Sequence, residues 1–66
     1  MKELTPREAQ VFALMASGLS RREAARKLGI KYKTADVHAQ NLYQKLGVHS
    51  QRELIVKYGK NGGKRQ

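Results

Sequence analysis

Lys33, Val37, Gln40, Asn41 and Gln44 recur at helical spacing, which gathers them on one side of an α-helix. Ala35, Ala39, Leu42 and Leu46 make a narrow apolar stripe on the opposite side, the face such a helix must bury. The outward side therefore displays amides, a lysine and a valine in place of the Glu and Lys of a merely solvated surface. These groups can read the major groove of duplex DNA: an amide makes paired hydrogen bonds to adenine, and a valine packs on a thymine methyl. Asp36 lies on the flank of the same helix and is the only acid between Glu23 and Glu53. Its carboxylate repels phosphate unless a donor satisfies it. Two roles stand side by side, accepting a hydrogen bond from cytosine N4 or pairing locally with Lys33 and the positive helix start.

A reading face works only if other elements hold it outward. Thr5-Pro6-Arg7-Glu8, Ser20-Arg21-Arg22-Glu23 and Ser50-Gln51-Arg52-Glu53 each spell a capping box, with Pro6 at a first helical position. Gly18, Gly29 and Gly47 each precede an apolar residue (Leu19, Ile30, Val48), as a left-handed C-terminal cap requires, and Gly59 closes the last segment. This punctuation predicts helices over residues 6–17, 21–28, 32–46 and 51–58 and no strand, an all-α four-helix bundle. Only Gly29, Ile30 and Lys31 separate the second and third helices, the tight connection of a helix-turn-helix over about residues 21–40. Ala25, Gly29 and Ala35 supply the small side chains and left-handed backbone that a steep helix crossing needs. An ordinary helical hairpin is the bland alternative on those three residues alone. The domain is expected to span residues 1–59, and residues 60–66, with no apolar side chain, are predicted to be a disordered basic tail.

Composition narrows the partner. The 66 residues suffice for one domain, which excludes a two-domain enzyme. Lys and Arg number 14 against 5 Asp and Glu, a net charge of +9 that suits nucleic-acid phosphate or an anionic membrane surface. Leu, Ile, Val and Phe total 14 residues, enough for a modest core. With no Cys there is neither a disulfide nor a thiolate metal site. No apolar run approaches the roughly 18 residues of a membrane span, and no secretory signal opens the chain. The expected location is the cytoplasm, in association with the nucleoid. No helix pairs a bulky apolar face with a continuous Lys/Arg face, which disfavours the membrane surface.

The segments Leu4-Thr5-Pro6-Arg7-Glu8-Ala9-Gln10-Val11-Phe12, Gly18 to Ile30, Lys33 to His38 and Lys45 to Leu54 together resemble the LuxR-type (NarL/FixJ) DNA-binding domain over residues 4–58. The resemblance implies a four-helix domain of bacterial transcription regulators whose third helix enters the major groove, commonly as a dimer. It places Asp36, Val37 and Gln40 where the family contacts bases. It places Arg21, Arg22, Lys33, Thr34 and Lys45 near phosphate-contacting positions, and Asn41 and Gln44 on the same face complete the expected flanking contacts. The chain departs from the family pattern where Lys31 and Tyr32 replace the usual Ser-Pro, leaving the third helix without a side-chain N-cap worth about 1 kcal/mol. Asp36 stands where the family is often basic, and Ala24 and Ala35 stand where it often has Ile and Val, which implies a thinner core.

The remaining residues carry weaker signals. His38 and His49, eleven apart and without a carboxylate cluster, form no recognisable metal site, and no cofactor is expected. Tyr32, Tyr43 and Tyr58 are spread over three elements and make no stacking platform. Arg26 and Lys27 read as a solvated face. Leu54 and Tyr58 can close the core, which leaves Val56 outward as a candidate contact for a homodimer through the fourth helix. The expected function is a sequence-specific double-stranded DNA-binding transcription regulator without catalysis, and RNA polymerase or another regulator is a further candidate partner. Because the chain starts at Met1 just before the first helix, it is expected to carry no receiver or ligand-sensing domain. Rival readings are a sigma region-four-like polymerase module, disfavoured by the fourth helix, and a protein-interaction adaptor or antagonist on the same fold, favoured only by Asp36.

Overall fold

The computed structural model describes residues 3–59. Four helices follow in order, α1 (Pro6–Ala16), α2 (Arg21–Leu28), α3 (Tyr32–Leu46) and α4 (Gln51–Tyr58), with no strand among the described residues. The predicted tail at 60–66 lies outside them.

The starts of α1 and α2 follow from their capping boxes. Thr5 Oγ1 accepts the Glu8 N–H at 3.1 Å while the Glu8 carboxylate accepts the Thr5 N–H at 3.0 Å, and Ser20 and Glu23 repeat the exchange. The third box is only half formed. Ser50 Oγ accepts the Glu53 N–H, but Glu53 Oε1 reaches one residue further back to the His49 N–H at 2.7 Å. The extended backbone of Ser50 (φ −156°) turns its own N–H away from that carboxylate. α3 begins at Lys31 with no side-chain cap, as Lys31-Tyr32 implies. In its place the Arg22 guanidinium lies over the Tyr32 ring, 4.8 Å from its centroid, and pins the start of α3 to the start of α2.

α1, α2 and α3 end alike. An N–H two residues past α2 and α3, and three past α1, returns to a carbonyl five residues back (Leu19 to Leu14, Ile30 to Ala25, Val48 to Tyr43), and the preceding Gly18, Gly29 and Gly47 have positive φ. The first helix stops one residue short of the expected end, because Ser17 becomes its cap and its Oγ donates to the Leu14 carbonyl at 2.7 Å. Gly59 plays a different part. Its φ is an ordinary −72°, but a Cβ there would sit 2.6 Å from the Ile55 carbonyl oxygen and 2.8 Å from that of Ala16. Glycine is needed at 59 because the end of α4 meets the end of α1 backbone to backbone.

Val11, Met15, Ala39, Leu42, Val48 and Leu54 form the core, with Leu4, Phe12, Leu28, Tyr43 and Leu46 packed at its edge. α3 packs on both α1 and α2, whereas α4 rests on α1. Leu46 therefore only borders the core that the stripe Ala35, Ala39 and Leu42 enters. Ala24, Ala25, Ala35 and Ala39 are all buried, so α2 and α3 approach closely through methyl groups and bury little apolar area there. Tyr58 closes the core less fully than expected. It remains exposed at one edge while its ring meets Phe12 edge to face at 5.8 Å and its hydroxyl donates to the Leu46 carbonyl.

Candidate nucleic-acid interface

α3 presents four sides to four surroundings. Its alanine and leucine stripe faces inward, and Lys33, Val37, Gln40, Asn41 and Gln44 are exposed on the opposite side. Val37 keeps 48% of its surface accessible, on a helix whose other branched apolar side chains are at least partly buried. Thr34 is also exposed, one turn before.

The two flanks are held by ion pairs. Asp36 and Lys45, nine residues apart, point about 180° from one another around the helix. On one flank the Asp36 carboxylate accepts from Arg21 Nη1 of α2 through Oδ1 and from Gln40 Nε2 at 2.9 Å through Oδ2. The Arg21 guanidinium also lies over the Tyr43 ring, 5.3 Å from its centroid, so one arginine joins two turns of α3 to the first turn of α2. The local pair with Lys33 considered from sequence is not made. The partner comes from fifteen residues upstream.

On the other flank Lys45 Nζ donates to Glu8 Oε1 at 2.7 Å and to the Glu3 carbonyl at 3.2 Å. Lys45, which the resemblance places near phosphate, is the counter-ion of an α1 carboxylate in the free chain. Only 5% of the Glu8 side chain is accessible, and the Lys45 ammonium stabilises its charged form there. The hydrogen bond from Lys45, assisted by that from the Thr5 N–H, holds the Glu8 carboxyl below its ordinary value. Glu23 is likewise lowered, chiefly by the Ser20 N–H.

The acidic side chains are thus occupied by caps or by specific cations, apart from exposed Glu3. Arg22 and Lys33, both exposed, remain beside the outward face of α3. Asp36, the feature that favoured an adaptor, displays a neutralised carboxylate and no free negative charge. Of the two histidines, His49 is almost fully solvated and His38 is half-buried on α3. No group of three or more His, Asp or Glu side chains is gathered among the described residues. Among the described residues no helix is long and apolar enough to cross a membrane.

One structural residue escaped the sequence reading. Gln51, the first residue of α4, donates from Nε2 to the carbonyls of Met15 at 3.1 Å and Leu19 at 2.6 Å, closing the α1–α2 connection onto α4. An amide in a first helical turn is ordinarily solvated, so its type and position carry no trace of this role. Val56, on the outer side of α4, is 62% exposed.

Comparison with known proteins agrees with this geometry. Residues 2–58 match the family described as bacterial regulatory proteins, luxR family. The chain is 46% identical over 52 residues to the Fimbriae Z protein of Escherichia coli K12, covering 79% of this chain and 25% of that protein. It is 47% identical over 51 residues to the transcriptional regulatory protein UhpA of the same organism, covering 77% of this chain and 26% of that one. With the HTH-type transcriptional regulator MalT of Vibrio campbellii it shares 43% identity over 53 residues, 80% of this chain and 6% of that protein. The chain therefore spans about a quarter or less of the length of these curated relatives. No solved structure matches it significantly. Four helices in this order, an outward face on α3 and a family match over nearly the whole of residues 3–59 lead to one conclusion: the chain belongs to the luxR family of bacterial regulatory proteins.

Proposed function

We propose that this domain binds double-stranded DNA sequence-specifically and regulates transcription, with the outward face of α3 in the major groove. The observation that carries the reading is the exposed stripe of Val37, Gln40, Asn41 and Gln44 on a helix whose other three sides are occupied by core and ion pairs. A helix held on three sides offers the fourth as a rigid probe, and rigid presentation limits the ordering cost of binding. Val37 and Gln40 read base edges, while Arg22, Lys33 and Thr34 contact phosphate and supply salt-sensitive affinity. Arg21 and Lys45 contribute by holding α3 in place. No step of this function calls for a catalytic group, metal or cofactor, and the location that suits it is the cytoplasm at the nucleoid.

The binding unit is a homodimer through α4, with Val56 at the contact. A symmetric pair sets two α3 helices about 34 Å apart and reads an inverted repeat. RNA polymerase or a second regulator is then met from the face turned away from DNA. Selection from a randomised duplex pool tests the whole reading: a consensus with paired half-sites is expected, and recovery of unrelated sequences refutes it. Val56→Asp is expected to keep the fold and single-site binding while abolishing cooperative occupancy of paired half-sites. Unchanged cooperativity rejects that contact.

A further inference from the structure

We infer that Asp36 is a positioning residue that presets the Gln40 amide for adenine, with Arg21 as the group that holds Asp36. The inference rests on the proposed reading of DNA by α3 and names the base pair preference that this chain carries within it.

A primary amide has two N–H donors and one carbonyl acceptor. Gln40 Nε2 directs one donor at Asp36 Oδ2, 2.9 Å away and one helical turn back. What remains is one N–H and the carbonyl Oε1, the donor and acceptor that adenine N7 and N6 require in the major groove. Without an anchor, a glutamine on an exposed helix face samples many rotamers and presents either end of its amide, so it discriminates poorly and loses that freedom on binding. The anchor must itself be fixed, and Asp36 is. Arg21 bonds its other oxygen while lying over Tyr43, and the carboxylate is only about a quarter exposed. The same pairing removes the negative charge that would otherwise face phosphate. A carboxylate with both oxygens engaged by protein donors is poorly placed to accept from cytosine N4, so the preference at this step moves from G·C to A·T. Val37, exposed three residues before Gln40, offers a methyl contact to a thymine on the same stretch of groove.

The test is a double-mutant cycle read by sequence selection. Wild type, D36A, Q40A and the double variant are each used to select from a randomised duplex pool, and preferences are compared position by position. Q40A is expected to relax one A·T position by roughly 5- to 150-fold. D36A is expected to relax that same position, with the double variant no worse than Q40A alone. Asp36→Asn offers one acceptor to the two donors of Arg21 and Gln40 and turns an N–H toward the other, so it too is expected to relax that position. Circular dichroism melts establish that each variant is folded, and if D36A is not, Asp36→Asn against Q40A decides by the same comparison. Loss of preference at a different, G·C position in D36A means that Asp36 touches a base directly and overturns the inference, as does an unchanged profile. Should wild type select no consensus, the DNA-reading proposal fails by itself. The positioning geometry is then judged in the free protein, where the Gln40 side-chain amide resonance must move in D36A and an unmoved resonance overturns it.

Discussion

Replacing Lys33 and Lys45 separately by glutamine removes the same charge from the same helix, yet the two variants are expected to behave differently on DNA. Lys33 is exposed on the outward face, whereas the Lys45 ammonium is bonded to Glu8 and to the Glu3 carbonyl with its side chain only 23% accessible. For Lys45 to reach a phosphate it would have to leave a nearly buried carboxylate without its counter-ion, a cost that exposed Lys33 does not face. Each phosphate contact contributes a slope of about −0.9 to log K against log salt, so between 50 and 200 mM one contact corresponds to about a 3.5-fold change in affinity. Lys33→Gln is expected to flatten the slope by about that 0.9 and to weaken every duplex alike. Lys45→Gln is expected to leave the slope nearly unchanged, because that ammonium is already engaged by Glu8 and the Glu3 carbonyl. Its cost appears in a lower melting temperature. Fluorescence anisotropy of a labelled duplex over that salt range, beside circular dichroism melts, separates the outcomes. Equal flattening by the two variants would refute the assignment of Lys45 to α1.

The other expectations concern the frame around α3. Glu8 and Glu23 have folded-state pKa values below their ordinary 4.5, so their contribution is fully present above that value and is lost as pH falls through the lowered folded values. Lys45→Gln removes the largest cause of the Glu8 shift and should move the acid unfolding midpoint to higher pH; an unmoved midpoint in a circular dichroism titration contradicts this. Gln51→Ala takes the side-chain donor from the Leu19 carbonyl, while the Met15 carbonyl keeps the Gly18 N–H, and is expected to cost about 1 kcal/mol in urea denaturation, with a loss under about 0.5 kcal/mol counting against the clamp. Gly29→Ala and Gly59→Ala test two different uses of glycine. At 29 a Cβ meets nothing within 4 Å, so only the left-handed backbone is at stake, about 1 kcal/mol after the gain in chain stiffness. At 59 the new methyl meets two backbone carbonyls and should cost about 1 to 3 kcal/mol. A larger loss at 29 than at 59 reverses the argument.

Sequence alone was sufficient for whatever depends on neighbours three to five residues apart. The capping boxes at Thr5 and Ser20, the glycines at 18, 29 and 47, the missing cap at Lys31 and the outward stripe of α3 are all consequences of local backbone geometry and helical period. Tertiary structure decided which charges are spent. Arg21 meets Asp36 across 15 residues, Lys45 meets Glu8 across 37, and Gln51 reaches Met15 across 36. Those pairings follow from the angle and distance at which helices cross, which the shapes of the buried side chains set, small alanines where α2 meets α3, rather than any pattern of charge. Two lysines on one helix therefore look equivalent in the sequence until the fold places one beside a nearly buried carboxylate and leaves the other in water.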